Sequence, residues 1–271
     1  MFYDIYYKKD IMNKYKVYWV VLCKNEEDII PFCIQYWSRI ADKVIVYDNG
    51  STDKSIEMLS KYDWIEIKHF SSEGHDDTIH KKVKEQAYLD YKNECDVLIV
   101  TDMDELFYFN DFNATVSAFV NGGYNVLMTS IYSLCEDGKP QYDNSKLLHQ
   151  LCHKFYKQRM NHMQGFDRYS KLSIFNTHAC DKISMSVGQH YVYTSPRQMI
   201  MYTNDGFCLH VDKGFGTTYY VSKRKKMGEN LSETNKQFKM GIEYLKSEEE
   251  SINEYKKHQT EAFDINDRSR T

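Results

Sequence analysis

The chain alternates short, wholly apolar runs with longer segments whose apolar positions recur at helical spacing. Val17-Tyr18-Trp19-Val20-Val21-Leu22-Cys23 is the first run, and its lack of a polar alternation predicts a strand buried on both faces. Ile29, Ile30, Cys33, Ile34 and Trp37 follow at helical intervals, behind an acidic Glu26-Glu27-Asp28 start and with Pro31 in the first turn. Residues 43–47 read as a second strand. Asp48-Asn49-Gly50-Ser51-Thr52-Asp53 then reads as a turn, in which Ser51 or Thr52 caps a helix over 55–62. Residues 64–70 alternate as a third, more peripheral strand, residues 78–92 are helical, and Val97-Leu98-Ile99-Val100 is another doubly buried strand.

The order β-α-β-α-β-α-β predicts an α/β fold with a mostly parallel central sheet flanked by helices. In such sheets ligands gather at the carboxyl ends of the strands. The polar clusters of this chain fall at those ends: Asn25-Glu26, Asp48 to Asp53, and Asp102 to Glu105. The second half is less regular, with strands expected at 125–132, 171–175, 191–193 and 207–211. Residues 218–258 carry an amphipathic helical pattern, broken near Gly228 and Gly241, and residues 1–14 form a leader without clear period.

With 271 residues the chain can build one large α/β domain or two small ones, and its three prolines supply little material for a hinge. A net charge of −4 argues against nucleic-acid binding, which calls for a basic footprint. Seven cysteines without a C-x-x-C spacing point to a reducing compartment rather than a disulfide framework. The run 17–23 is too short to span a bilayer, and no signal-type segment accompanies it. The expected location is cytoplasmic, with peripheral contact at the inner membrane face left open by the basic run Lys223-Arg224-Lys225-Lys226.

The sharpest chemistry lies where Val100-Thr101 runs into Asp102-Met103-Asp104-Glu105. Carboxylates at i and i+2 of extended backbone share a side, and hard dications such as Mg²⁺ or Mn²⁺ take such oxygens together with substrate phosphates. The plainer alternative is a solvated turn. The usual glycine loops for phosphate are missing: Gly214-Phe215-Gly216 does not open the first βα unit.

Residues 20–27, 44–53 and 100–105, taken in order, resemble the successive signatures of family 2 glycosyltransferases with the GT-A fold. Lys171 to Asn176, Gly188-Gln189-His190, Leu209-His210 and Leu231 to Asn235 resemble a bacterial subgroup used in surface-polysaccharide assembly. The resemblance implies a transferase domain over 15–215, with a helical C-terminal extension over 216–260 packed on it. It implies a nucleotide-sugar donor with its diphosphate on a divalent metal, and a hydroxyl acceptor on a saccharide or lipid-linked saccharide. Asp48 would accept from the base edge, while Cys23, Asn25 and Glu26 would contact the nucleoside. Asp102 would face ribose and metal, and Asp104 would be the main metal ligand. Lys84 is a candidate for base or phosphate, or else a solvated helical lysine. His210 is a third metal ligand or an ordinary core histidine, imidazole suiting Mn²⁺ better than Mg²⁺. His190 would contact phosphate or acceptor, or simply pack.

Lys213 and Arg224 could neutralise the leaving diphosphate. An inverting enzyme needs a carboxylate base. Asp137, Asp167 and Asp181 follow the metal motif, and Asp167 is preferred because it lies just before the Lys171 segment; a retaining enzyme would need none. His149, Cys152 and His153 could share a helix face as a zinc site, although an amphipathic helix explains them as well. Two other readings stand beside the transferase. A sugar-phosphate nucleotidyltransferase would want a Gly-rich, Arg-bearing loop where Cys23-Lys24-Asn25-Glu26 stands. A non-catalytic carbohydrate-binding protein would not need the acidic cluster.

Overall fold

A computed structural model describes residues 14–157, 170–189 and 191–266, so all but the last residue of the expected leader over 1–14, the candidate base Asp167, and His190 lie outside the described residues. The first half alternates strand and helix: β1 (Val17–Cys23), α1 (Ile30–Ile40), β2 (Lys43–Asp48), α2 (Ser55–Leu59), β3 (Ile65–His69), α3 (Asp77–Tyr91) and β4 (Val97–Asp102). Then come β5 (Glu105–Phe109), α4 (Phe112–Asn121), β6 (Val126–Leu134), α5 (Leu148–Leu151) and β7 (Phe155–Tyr156). The remainder is β8 (Ser170–Asn176), β9 (Lys182–Met185), β10 (Val192–Ser195), β11 (Ile200–His210), α6 (Thr217–Glu229), α7 (Glu233–Gln237) and α8 (Glu248–Thr260).

One sheet of nine strands runs β3-β2-β1-β4-β8-β6-β11-β5, with β7 paired to β6. The first four strands are parallel, as the alternation of elements requires. The second half brings in antiparallel partners: β8 against both β4 and β6, and β5 against β11. Six of the nine strands still point the same way.

All seven residues of β1 are buried, which explains its unbroken apolar run: it has β2 on one edge, β4 on the other, and helices over both faces. Trp19, Trp37, Phe32 and Phe107 pack on one face with α1. Val20, Tyr88, Leu98 and Phe175 pack on the other, under α3. The buried Trp19 indole donates to Thr101 Oγ1 at 2.8 Å, so the core leaves that N–H satisfied.

Register decides where the chemistry sits. Leu22 lies opposite Asp102, Cys23 opposite Asp48, and Asp48 opposite His69. Three motifs far apart in the chain therefore end on one edge of the sheet. On the other flank, β11 ends with His210 opposite Glu105 of β5. β5 begins directly after the Asp102-Met103-Asp104 turn and was not expected as a strand; its pairing with β11 defines it.

Candidate functional site

A cavity of about 1120 Å³ opens at this edge of the sheet. Its floor is the turn between β4 and β5. Met103 is buried there, with its N–H donating to Leu22 O at 3.0 Å, so the flanking Asp102 and Asp104 both face the cavity.

The two carboxylates are held by lysines from distant elements. Lys84, buried on α3, lies 2.8 Å from Asp102 Oδ1 and donates to Gln189 Oε1 at 2.7 Å, while Gln189 Nε2 donates to Val100 O at 2.9 Å. Burial pushes the Asp102 carboxyl up, but Lys84 and Lys171 outweigh it and hold the group well below the usual range. Asp104 Oδ2 lies 2.9 Å from Lys223 Nζ of α6 and 3.7 Å from His210 Nε2. Burial raises that carboxyl too, and Lys223 with His210 brings the balance below normal. Beneath them, Lys171 and Glu105 form a buried pair at 2.5 Å.

Glu26 shares Lys223, with Oε1 at 3.0 Å. Burial pushes its carboxyl up; Lys223 pulls it back and Asp104 adds repulsion, leaving it at about 7. The loop bearing Glu26 is pinned by its own polar groups. Asn25, at φ 56°, accepts from Thr52 N at 2.7 Å, and Glu26 N donates to Ser55 Oγ at 2.8 Å. Cys23 is buried, and burial pushes its thiol to about 12, so it offers a contact surface and no thiolate. Asp48 sits deeper than expected of a base reader. Its carboxylate accepts from Gly50 N and Ser51 N, each at 3.1 Å, and faces His69 Nδ1 at 3.3 Å, while the neighbouring Asn49 lines the cavity.

Of the expected bases, Asp137 pairs with Lys154 at 2.6 Å and Asp181 is exposed beside Lys92 at 3.9 Å; neither lines the cavity. Asp212 does line it. Lys213 Nζ lies 2.6 Å and His210 Nδ1 3.7 Å from its carboxylate, and they overcome burial to hold the group well below normal. His149 and His153 turn to different surroundings: His149 packs on Tyr108 at 4.3 Å between ring centres, and His153 Nδ1 meets Asp264 at 3.0 Å.

Reasoning from sequence missed Lys223 as a partner of Asp104, Asp212 beside His210, and a group at the start of α3 formed by His75, Asp77 and His80. The His210-x-Asp212 spacing could have revealed Asp212. Lys223 lay hidden in a basic run, and the histidines carry no familiar spacing. His75 Nε2 lies 3.4 Å from Asp77 Oδ1, and His80 Nε2 lies 3.4 Å from the Asn49 amide nitrogen. Burial, with help from His75, pushes the His80 imidazole down to about 4, so it is neutral near pH 7.

A family model described as glycosyl transferase family 2 matches residues 18–184, the stretch that builds β1 to β4 and the floor of the cavity. The chain belongs to that family, and its α/β sheet with acidic strand ends is the GT-A arrangement expected of a member. Among solved structures it is similar to TarS of S. aureus, at 14% identity and a TM-score of 0.42 over 85% of this chain and 43% of that one. It is also similar to GalNAc-T7 with UDP, GalNAc and Mn²⁺, at 10% identity and a TM-score of 0.44 over 90% and 57% of the two chains. A third is glucosyl-3-phosphoglycerate synthase from Mycobacterium tuberculosis with Mn²⁺ and UDP-glucose, at 18% identity and a TM-score of 0.28 over 44% of each chain. The chain thus spans less than half of TarS. A comparison with curated proteins gives no match.

Proposed function

We propose that the protein is a metal-dependent glycosyltransferase that moves a sugar from a nucleotide-diphosphate sugar to a hydroxyl on a saccharide or lipid-linked saccharide, in surface polysaccharide or glycolipid assembly. The observation that carries this reading is Asp104 Oδ2 lying 3.7 Å from His210 Nε2, with Asp102 lining the same cavity, in a member of family 2. Two carboxylates and one imidazole form an oxygen-rich set that suits Mn²⁺ or Mg²⁺. When bound, the metal would offset the charge gathering on the leaving diphosphate.

The chain's own residues supply the rest. Lys223 lies between Asp104 and Glu26, and with Asp104 engaged by a dication its ammonium would be available to phosphate oxygens. Lys84 holds Asp102 in place from α3. Asn25 and Glu26 form the wall assigned to the nucleoside, with Asn49 extending it beside Asp48. For an inverting reaction, Asp167 remains the sequence candidate for base, and Asp212 is the ionised carboxylate next to His210 at the cavity.

The test is calorimetry of nucleoside diphosphates with and without Mn²⁺. Wild type should bind one of them in a Mn²⁺-dependent way, and Asp104→Asn should weaken that binding at least about tenfold, or 1.4 kcal/mol. Binding unchanged by the substitution sinks the assignment.

A further inference from the structure

We infer that His75, Asp77 and His80 form a second metal site, separate from the Asp102–Asp104 pair, that takes a transition dication such as Zn²⁺, Mn²⁺ or Co²⁺. One ligand atom from each lies within 4.8 Å of the others, and all three side chains line the same cavity. Two imidazoles and one carboxylate make the donor set of open transition-metal sites, where the remaining positions go to water or substrate. Two nitrogens out of three ligands disfavour Mg²⁺ and Ca²⁺, which take oxygen.

The three residues are placed by features that have no need of each other. Asp77 opens α3 and His80 follows one turn later on the same face, with Asp76 capping the helix through Thr78 N and Ile79 N. His75 stands before the helix because the loop is tied to the C-terminal region: His75 N donates to Asn230 O at 2.6 Å and Ser232 N donates to His75 O at 3.1 Å. That tie requires glycine at position 74, where φ is +71° and a Cβ would stand 2.0 Å from Asn230 O.

Asn235 completes the frame around the carboxylate. Its side-chain nitrogen donates to Asp77 Oδ2 at 2.8 Å, and its oxygen accepts from Asp77 N at 3.0 Å, leaving Oδ1 on the His75 side. An outer hydrogen bond of this kind orients a metal-ligating carboxylate. A simple His75–Asp77 ion pair accounts for two of the three residues. It does not explain why a second imidazole, His80, is brought within 4.8 Å of both.

The consequence is a metal that pins His75, in the loop before α3, to the first turn of that helix, one turn before Lys84. The test uses the full-length, metal-stripped protein and Co²⁺ alone, without nucleotide. Wild type should take up Co²⁺ with the visible absorption of nitrogen-ligated cobalt. Affinity should fall at least about tenfold in His75→Ala and in His80→Ala, since even outer-sphere partners are worth that much. Asp77→Asn, close in shape, serves if an alanine variant does not fold. Asp104→Asn, which disables the Asp102–Asp104 site, should still show the part of the uptake that His75→Ala and His80→Ala lose. No cobalt absorption in wild type, or uptake lost in Asp104→Asn while the histidine variants keep it, overturns the proposal.

Discussion

At the scale of single residues, the cavity holds carboxylates matched to lysines, most of them from elsewhere in the chain. Asp102 has Lys84, Glu105 has Lys171, Asp212 has Lys213, and Lys223 is shared by Asp104 and Glu26. Glu26 is the one left near neutrality, at about 7, because burial outweighs its half-share of Lys223. Its folded value lies above the ordinary carboxylate value, so the folded state holds the proton more tightly than the unfolded chain. Stability is therefore fullest at acid pH and declines as pH rises from about 4.5 through about 7. Glu26→Gln removes that decline: it should melt close to wild type at pH 5 and be more stable at pH 8 by about 1–3 kcal/mol. Melting curves at the two pH values check it, and a pH-dependent gap of the opposite sign would show that the ionised Glu26–Lys223 pair stabilises the fold. The acidic Asp102-Met103-Asp104 cluster was plain in the sequence because neighbours in the chain form it. Its lysine partners were not, because Lys84 and Lys223 arrive from separate helices.

At the scale of elements, the C-terminal helices are bound to one another by charge as well as by packing. Arg224 of α6 and Lys246, at the end of the turn before α8, both lie 2.7 Å from Glu254 Oε2 of α8. Burial raises the Glu254 carboxyl, and Lys246 and Arg224 together bring it down to about 2. The sign is the reverse of that for Glu26. The contribution is complete above about 4.5 and is lost as pH falls toward about 2. Glu254→Gln should therefore cost about 1–2 kcal/mol at pH 7, after allowance for solvent screening, and almost nothing near pH 2. Denaturant unfolding at neutral and acid pH measures the difference. The helices over residues 218–258 were legible from apolar spacing, including the breaks near Gly228 and Gly241. The strand β5 and the first half of β11 were not, since β5 is defined by pairing with the second half of β11, and the first half of β11 by pairing with β6.

For the whole molecule, the cavity rim and the surface around it bear on the acceptor. No helix among the described residues is long and apolar enough to cross a membrane. The basic run thought to face a membrane is divided: Lys223 turns into the cavity, Arg224 is buried against Glu254, and only Lys225 and Lys226 are exposed. Phe238, Ile242 and Leu245, each more than half exposed, stand in the segment that also carries Met240 and Tyr244 of the cavity lining. Two lysines contribute about 1 kcal/mol each at an anionic surface, and burying one such apolar side chain adds about 1.5–3 kcal/mol. Weak, salt-sensitive sedimentation with anionic vesicles is the expected result, reduced by Phe238→Asp; protein that stays in the supernatant at low salt would point to a soluble acceptor. What the sequence alone determined was the α/β alternation, the buried β1 and β4, and the acidic strand ends, because each depends on period or on neighbours within a few positions. The tertiary structure decided the rest: Asp48 held in its own turn, lysines facing the acidic pair, and His75 and His80 gathered around Asp77. Those arrangements depend on strand register and on helices that return from far along the chain, and neither leaves a mark in local spacing.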